Sequence, residues 1–186
     1  MVRAFIAIEI PSSIKKNLAD VQSHLKTAGA DVSWTKPDNL HLTLKFLGEI
    51  SDSQITIVRS AVNKICEKVS AFELEIGDIG VFPNPRRPRI IWAGVSGDLN
   101  AVLAIQSTID SELVSSGFAT DAHPFNPHLT LGRIKTPKRT RELLALADVF
   151  EIPKNNFRVD RIIVMRSQLN PTGSIYTPIE ICRFGQ

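Results

Sequence analysis

The chain has 186 residues, 43% of them hydrophobic and 22% charged, which is typical of a globular protein and excludes a disordered or fibrous one. This length suffices for one domain or for two small lobes. The formal net charge of +3 permits a polyanionic partner without requiring one.

The ends of the chain and its two cysteines give an expectation for location. The first apolar run is interrupted at Glu9, which makes it too short for a signal peptide or a membrane span. Only Cys66 and Cys182 occur, and two isolated thiols are typical of a reducing compartment. We therefore expect a cytoplasmic protein in which both cysteines are buried apolar residues.

The first half of the chain predicts the order strand, helix, strand, helix, strand. These elements are a strand over Arg3–Ile10, a helix capped by Ser12 or Ser13 and ended by Gly29, a strand beginning at His41, a helix capped by Ser51, and a strand over Phe72–Val81. Each helix has one apolar face, which consists of Ile14, Leu18, Val21 and Leu25 in the first and of Ile55, Val58, Val62, Ile65 and Val69 in the second.

The second half repeats this order. Its elements are a strand over Arg89–Val95, a helix that starts at Asp98 and stops at Gly117 with Val102, Ile105, Ile109 and Leu113 inward, a strand beginning at His128, a short helix opened by Thr136 and Pro137, and strands over Phe157–Met165 and Ser174–Ile181. We predict a single α+β domain over residues 1–186 with an internal repeat of approximately 1–82 and 88–186. Its two pseudo-symmetric lobes, each a mainly antiparallel sheet covered by helices, should surround a central cleft.

The clearest sign of the repeat is the tetrapeptide His-Leu-Thr-Leu, which begins at His41 and again at His128. In a strand alternate side chains share a face, so each His and Thr should point one way while the leucines enter the core. The His and Thr of one motif then lie about 6–7 Å apart along the strand, a span that suits a phosphate.

Two histidines on facing strands fit the chemistry of phosphodiester cleavage. One proton leaves the attacking oxygen, another reaches the leaving oxygen, and each transfer contributes about 10²–10⁴ in rate. The hydroxyls of Thr43 and Thr130 would hold the non-bridging oxygens. Arg133 would suit a phosphate clamp, but strict alternation places it on the opposite face from His128 unless Gly132 allows a bulge.

Other uses of these residues are weaker. The sequence contains no His-Glu-x-x-His, no Cys-x-x-Cys and no P-loop, so neither a metal site nor an ATP-driven ligase is favoured. A non-catalytic protein that binds RNA ends remains an alternative, and Tyr176 has no assigned role.

These motifs make the chain resemble the two-histidine (2H) phosphoesterase superfamily, which is defined by paired His-x-Thr-x (HxTx) motifs. Within it, the chain looks like the RNA 2′,3′-cyclic phosphodiesterases, historically called 2′-5′ RNA ligases. The resembling segments are Arg3–Pro11, Asn39–Gly48, Pro88–Gly94, Pro127–Arg133 and Ser167–Tyr176.

The resemblance implies a hydrolase of RNA processing that converts a terminal 2′,3′-cyclic phosphate to a 2′-phosphomonoester without metal or cofactor. It implies His41 as proton donor, His128 as proton acceptor, and Thr43, Thr130 and Arg133 as the phosphate-binding residues. The motifs themselves fit the reverse order of the two histidines equally well.

The expected partner is an RNA with a cyclic phosphate end, such as a tRNA fragment, or a cyclic nucleotide. The protein should be a monomer that does not contact a membrane. ATP-independent 2′-5′ ligation, in which a 5′-hydroxyl replaces water, is the alternative activity.

Overall fold

The computed structural model describes residues 1–121, 123–171 and 173–185. Residues 122, 172 and 186, which fall inside the predicted domain 1–186, lie outside the described residues. The elements in chain order are β1 (Val2–Glu9), α1 (Ser12–Lys26), β2 (Val32–Trp34), a short 3₁₀ helix (Pro37–Asn39), β3 (His41–Ile50), α2 (Asp52–Cys66), β4 (Phe72–Phe82), β5 (Ile90–Gly97), α3 (Leu99–Ser115), β6 (His128–Ile134), α4 (Thr140–Val149), β7 (Asn156–Val159), β8 (Arg161–Gln168) and β9 (Ile175–Arg183).

The described strands form one antiparallel sheet with the order β7-β4-β5-β6-β3-β1-β8-β9, and β2 pairs with β6. The two motif strands, β3 and β6, are neighbours at its centre and are joined where Leu42 pairs with Leu129. We call this junction the seam. Within that order, which leaves out β2, four strands lie on each side of the seam, and the helices pack against the sheet. The predicted α+β fold with two mainly antiparallel lobes is confirmed.

Each half of the sequence contributes strands to both sides of the seam. β4, from the first half, pairs with β5 and β7, whereas β8, from the second half, pairs with β1 and β9. Chain order alone does not show this exchange, because the hydrophobic pattern of a strand does not identify its neighbour. The chain therefore crosses from one side of the sheet to the other between β3 and β4, and it crosses back between β7 and β8.

The prediction of one strand over Phe157–Met165 is wrong. The segment forms β7 and β8, which pair with opposite sides of the sheet and are separated only by Asp160. Buried apolar residues occur on both sides of this break, so the hydrophobic pattern continues through it. Because β7 and β8 are adjacent in the chain but distant in strand order, the sheet has to curve.

The residues in the middle of each predicted apolar helix face are buried, and two of the predicted helix caps are present. Ser51 caps α2 in a reciprocal capping box with Gln54, and Asp98 caps α3 by accepting a hydrogen bond from the amide of Ala101. The predicted inward residues that are buried in α1, α2 and α3 are Ile14, Leu18, Val21, Leu25, Val58, Val62, Ile65, Val102, Ile105, Ile109 and Leu113. No helix in the described part of the chain is both long and apolar enough to cross a bilayer.

Two helix starts differ from the prediction. Pro11 occupies the cap position of α1, with extended backbone and no side-chain hydrogen bond, so neither Ser12 nor Ser13 caps this helix. The helix predicted to open at Thr136 and Pro137 begins only at Thr140. In both places the polar residue that suggested a start does not cap the helix that follows it. Both cysteines are buried, as predicted.

Candidate active site

The register at the seam brings the two motifs together. The second residues of the two motifs, Leu42 and Leu129, are direct antiparallel partners and are fully buried. In that register His41 faces the threonine of the other motif, and His128 faces Thr43. The two histidines are therefore diagonal neighbours, about 7–8 Å apart at the backbone.

A β-bulge brings Arg133 to the same face as the second motif. Two consecutive residues of β5 pair with Gly132 and Thr130, so Leu131 is an extra residue in β6. The bulge interrupts the alternation: Leu131 and Gly132 are both buried and Arg133 is exposed. The bulge at Gly132 that Arg133 needs in order to reach this face is therefore present. The side chain of Arg133 shares a cavity with Thr130.

A buried glutamine of α1 holds this bulge. The carbonyl oxygen of Leu131 accepts hydrogen bonds from the amide of Thr35, at 2.9 Å, and from Nε2 of Gln22, at 2.8 Å. Nε2 of Gln22 also donates to the carbonyl oxygen of Thr35, at 2.8 Å. Gln22 was not predicted as a site residue, and the only sign of it in the sequence is a polar residue beside the apolar face of a helix. Its two bonds fix the backbone that turns Arg133 toward the cavity.

Both imidazole rings are oriented by the same kind of backbone contact. Nδ1 of His41 lies 2.7 Å from the carbonyl oxygen of Asn39, and Nδ1 of His128 lies 2.6 Å from that of Asn126. A carbonyl oxygen only accepts, so Nδ1 donates in each ring and Nε2 is left for the substrate. The sequence signal for this feature is an asparagine two residues before each histidine. This asparagine extends the repeat beyond the tetrapeptide.

His41 lies in an aromatic environment that favours its neutral form. Its ring stacks on Phe5, with centroids 4.6 Å apart, and makes a T-shaped contact with Tyr176, with centroids 5.3 Å apart. Burial lowers the pKa of His41 to about 4; the hydrogen bond to Asn39 opposes this shift and the charge of Lys15 adds to it. The unliganded protein therefore carries His41 neutral at pH 7. Phe5 and Tyr176 are site residues to which the sequence gave no role.

His128 lies among aromatic rings on the other side of the seam. Its ring makes a T-shaped contact with Phe82, with centroids 5.0 Å apart, and its centroid lies 6.2 Å from that of Trp92. The two histidines thus have corresponding surroundings, each between rings from strands of its own side of the sheet. This repeats at the level of side chains the duplication seen in the motifs.

A cavity of about 740 Å³ opens beside the seam. Four of the five candidate residues line it, namely His41, Thr43, Thr130 and Arg133, whereas His128 is not among its lining residues. Arg133 makes no ion pair within the described residues, so its charge is available to an anion. In the same part of the chain no group of three or more His, Cys, Asp or Glu side chains is arranged to hold a metal ion.

The lowered pKa of His41 predicts a pH-dependent stability. In the unfolded chain a histidine has a pKa near 6.5, so between about pH 6.5 and pH 4 the unfolded state takes up a proton that the folded protein does not. The stability contributed by neutral His41 is complete above this window and is lost as the pH falls, by at most about 3 kcal/mol.

Urea unfolding at about pH 7 and about pH 4.5 measures this loss. We expect the free energy of unfolding of His41→Gln to fall less over this range than that of the wild type. His123→Gln, which removes an exposed histidine, is the control and should behave as wild type. The same pH dependence in all three proteins would contradict the assignment to His41.

A family model described as "LigT like Phosphoesterase" matches the chain over residues 8–92 and 95–176. A curated relative from Methanothermobacter thermautotrophicus, named RNA 2′,3′-cyclic phosphodiesterase, is 35% identical over 184 residues and covers 98% of each chain. A relative of the same name from Aquifex aeolicus is 31% identical over 185 residues, which covers 97% of this chain and 96% of the other.

Solved structures share the fold. The crystal structure of E. coli LigT complexed with 3′-AMP has a TM-score of 0.79 at 23% identity and covers 100% of this chain and 99% of the other. A crystal structure of a Thermus thermophilus protein has a TM-score of 0.81 at 23% identity and covers 99% of both chains.

Proposed function

The chain belongs to the LigT-like phosphoesterase family, and we propose that it hydrolyses the 2′,3′-cyclic phosphate at an RNA end to a 2′-phosphomonoester, with His41 and His128 as the proton-transfer pair. The name of its curated relatives, RNA 2′,3′-cyclic phosphodiesterase, supports the substrate class. The observation that carries the proposal is the register at the seam, which makes the two histidines diagonal neighbours on one face.

The proposed reaction needs two proton transfers on opposite sides of phosphorus. His128 accepts a proton from water, whose oxygen attacks phosphorus, and the bond from phosphorus to the 3′-oxygen breaks. His41 donates a proton to that 3′-oxygen, which leaves a 3′-hydroxyl and a 2′-phosphate. Thr43 and Thr130 donate hydrogen bonds to the non-bridging oxygens, and Arg133 offsets their negative charge.

His41 must gain a proton before it can donate one. Burial keeps it neutral in the unliganded protein. A bound cyclic phosphate brings a negative charge beside the ring, which raises the pKa of a neighbouring imidazole and so favours the imidazolium form. Under this proposal the donor is charged by substrate binding, and water remains the only other reactant.

Arg133 is expected to bind the phosphate through its planar fork, so Arg133→Lys should lower kcat/KM by about 10-fold or more even though the charge is kept. Arg87→Lys is the matched control, because Arg87 lies in the exposed turn between β4 and β5 and should tolerate the change. Steady-state kinetics on an RNA with a 2′,3′-cyclic phosphate end gives the comparison. Equal losses in both variants, or none in Arg133→Lys, would contradict a role for Arg133 in phosphate binding.

Product analysis on a defined RNA with a 2′,3′-cyclic phosphate end tests the proposed function. We expect a 2′-phosphomonoester, formed at the same rate with and without EDTA. A 2′-5′ linked product in the presence of a 5′-hydroxyl RNA would instead assign ATP-independent ligation. A shift in gel mobility with no product would assign a non-catalytic RNA-end-binding protein, and EDTA inhibition reversed by zinc would assign a metal enzyme.

We place this activity in the cytoplasm, on RNA fragments such as tRNA halves, and in a monomer. The low cysteine count, with only Cys66 and Cys182 in the sequence, supports a reducing compartment. All five proposed site residues belong to one chain, which supports a monomer.

A further inference from the structure

The asparagine before the first motif makes two hydrogen bonds in different directions. The carbonyl oxygen of Asn39 accepts from Nδ1 of His41, and the side-chain Nδ2 of Asn39 donates to the carbonyl oxygen of Ser174 at 2.7 Å. We call the second bond the tether. It joins residues that are 135 positions apart in the sequence, and both of them line the cavity. One residue therefore connects the ring of His41 to a distant part of the chain.

The segment at the other end of the tether carries an aromatic partner of His41. Ser174 directly precedes β9, and Tyr176 is the second residue of that strand. The ring of Tyr176 makes T-shaped contacts with His41 and with Phe5, with centroids 5.3 Å and 5.0 Å apart, and Phe5 itself stacks on His41. The tether thus fixes the start of β9 at the place from which Tyr176 reaches the His41 ring.

The turn that contains Asn39 is held from other directions as well. Its 3₁₀ helix is closed by the amide of Leu40, which donates to the carbonyl oxygen of Pro37 at 3.1 Å. The ammonium of Lys15 in α1 donates to the carbonyl oxygen of Asp38 at 3.0 Å. Because the turn, α1 and the start of β9 all bond to three consecutive residues, the carbonyl of Asn39 has a fixed direction.

The second motif has no tether. The carbonyl oxygen of Asn126 accepts from Nδ1 of His128 in the same way, but the side chain of Asn126 is exposed and makes no hydrogen bond within the described residues. Between α3 and β6, the described part of the chain contains no helix or strand. The two histidines therefore differ in how firmly their surroundings are held, and the difference lies in one asparagine side chain.

We propose that Asn39 is a positioning residue: its tether to Ser174 holds the imidazole of His41 with Nδ1 on the Asn39 carbonyl and Nε2 free for the leaving oxygen. This deepens the proposed function and rests on it for the identity of that oxygen. The contribution is geometric, since displacing a reacting group by about 1 Å can lower a rate about 100-fold. Asn39 acts through His41 and transfers no proton itself.

Steady-state kinetics of Asn39→Ala on an RNA with a 2′,3′-cyclic phosphate end tests this role. The variant keeps the carbonyl that accepts from His41 and loses only the tether. We expect kcat to fall about 10-fold while KM changes by less than about 2-fold, because the tether aligns the reacting group and does not bind the ground state. An unchanged kcat, with or without a rise in KM, would overturn the proposal.

Two further asparagine variants make the comparison specific. Asn100→Ala removes an exposed asparagine of α3 whose side chain makes no hydrogen bond within the described residues, and its kcat should equal that of the wild type. Asn126→Ala removes the corresponding asparagine of the second motif, which has no tether, so its kcat should fall less than that of Asn39→Ala. Equal losses in Asn39→Ala and Asn126→Ala would overturn the proposal.

A spectroscopic readout in the free protein separates this proposal from the proposed function. Long-range ¹H–¹⁵N NMR spectra at about pH 8 distinguish a ring nitrogen that carries a proton from one that does not, and wild-type His41 should carry its proton on Nδ1. In Asn39→Ala we expect the two ¹⁵N shifts of His41 to move toward each other, because the ring samples its other tautomer. The shifts of His128 should stay as in the wild type.

The NMR result has a meaning whether or not the protein hydrolyses the cyclic phosphate. Unchanged His41 shifts in a folded Asn39→Ala protein would overturn the positioning role even where the wild type shows normal turnover. The expected shifts in a protein without turnover would retain the role of Asn39 in orienting His41 and reject the hydrolase. Circular dichroism and thermal unfolding establish that the variant is folded.

Discussion

Replacing either His41 or His128 by alanine is expected to lower kcat for hydrolysis of a terminal 2′,3′-cyclic phosphate by at least about 100-fold, since each variant would remove one of the two proposed proton transfers. Single-turnover kinetics on a short RNA measures the effect on the chemical step. The kcat of the double variant should be only slightly below that of the less active single variant, because the effects of two groups that act in one step are not additive.

The control for these variants is His123→Ala. His123 is exposed in the segment before β6 and belongs to neither motif, so its loss should leave kcat unchanged. Circular dichroism and thermal unfolding confirm that each variant is folded. Wild-type turnover in a folded His41→Ala or His128→Ala protein would remove that histidine from the mechanism.

The second large effect concerns the buried lysine that follows the first motif. Lys45 is only 2% exposed, and its ammonium donates to the Asp110 carboxylate of α3 and lies 3.6 Å from that of Asp121. Asp110→Ala leaves this buried charge with one distant partner, so we expect the free energy of unfolding to fall by about 3 kcal/mol. Lys45→Met should cost less, because both carboxylates reach solvent.

Urea titrations of these variants against Asp20→Ala give the measurement. Asp20 is an exposed aspartate of α1 with no ion pair among the described residues, so its replacement should change the stability by no more than about 0.5 kcal/mol. Two results would contradict this explanation: an Asp110→Ala protein as stable as Asp20→Ala, or a Lys45→Met protein less stable than Asp110→Ala. Either result would show that the contact does not compensate the buried charge of Lys45.

The parts of the fold that depend on local pattern could be predicted from the sequence. The alternation in His-Leu-Thr-Leu correctly gave one buried and one open face, and the caps Ser51 and Asp98 correctly gave the starts of α2 and α3. The break at Asp160 could not be predicted in this way, because buried apolar residues continue on both sides of it. Nor could the exchange of β4 and β8, since pairing partners are chosen by long-range packing.

The candidate site likewise has one part that follows from a local sequence pattern and one part that depends on the fold. Its candidate histidines and threonines were proposed because one short motif occurs twice. The position of Arg133 depended on a bulge, and the sequence showed only that Gly132 permitted one. Gln22, which holds that bulge, comes from a distant helix and acts through backbone carbonyls, which no side-chain pattern reveals. The contacts of His41 with Phe5 and Tyr176 likewise depend on the order of strands in the sheet.

The pH dependence of kcat/KM in the two histidine variants tests the two-histidine mechanism most directly. A wild-type enzyme with one essential acid and one essential base gives a bell-shaped profile. We expect His41→Ala, which lacks the proposed donor, to lose the fall at high pH, and His128→Ala, which lacks the proposed acceptor, to lose the fall at low pH. A full bell in both variants would contradict proton transfer by these two residues.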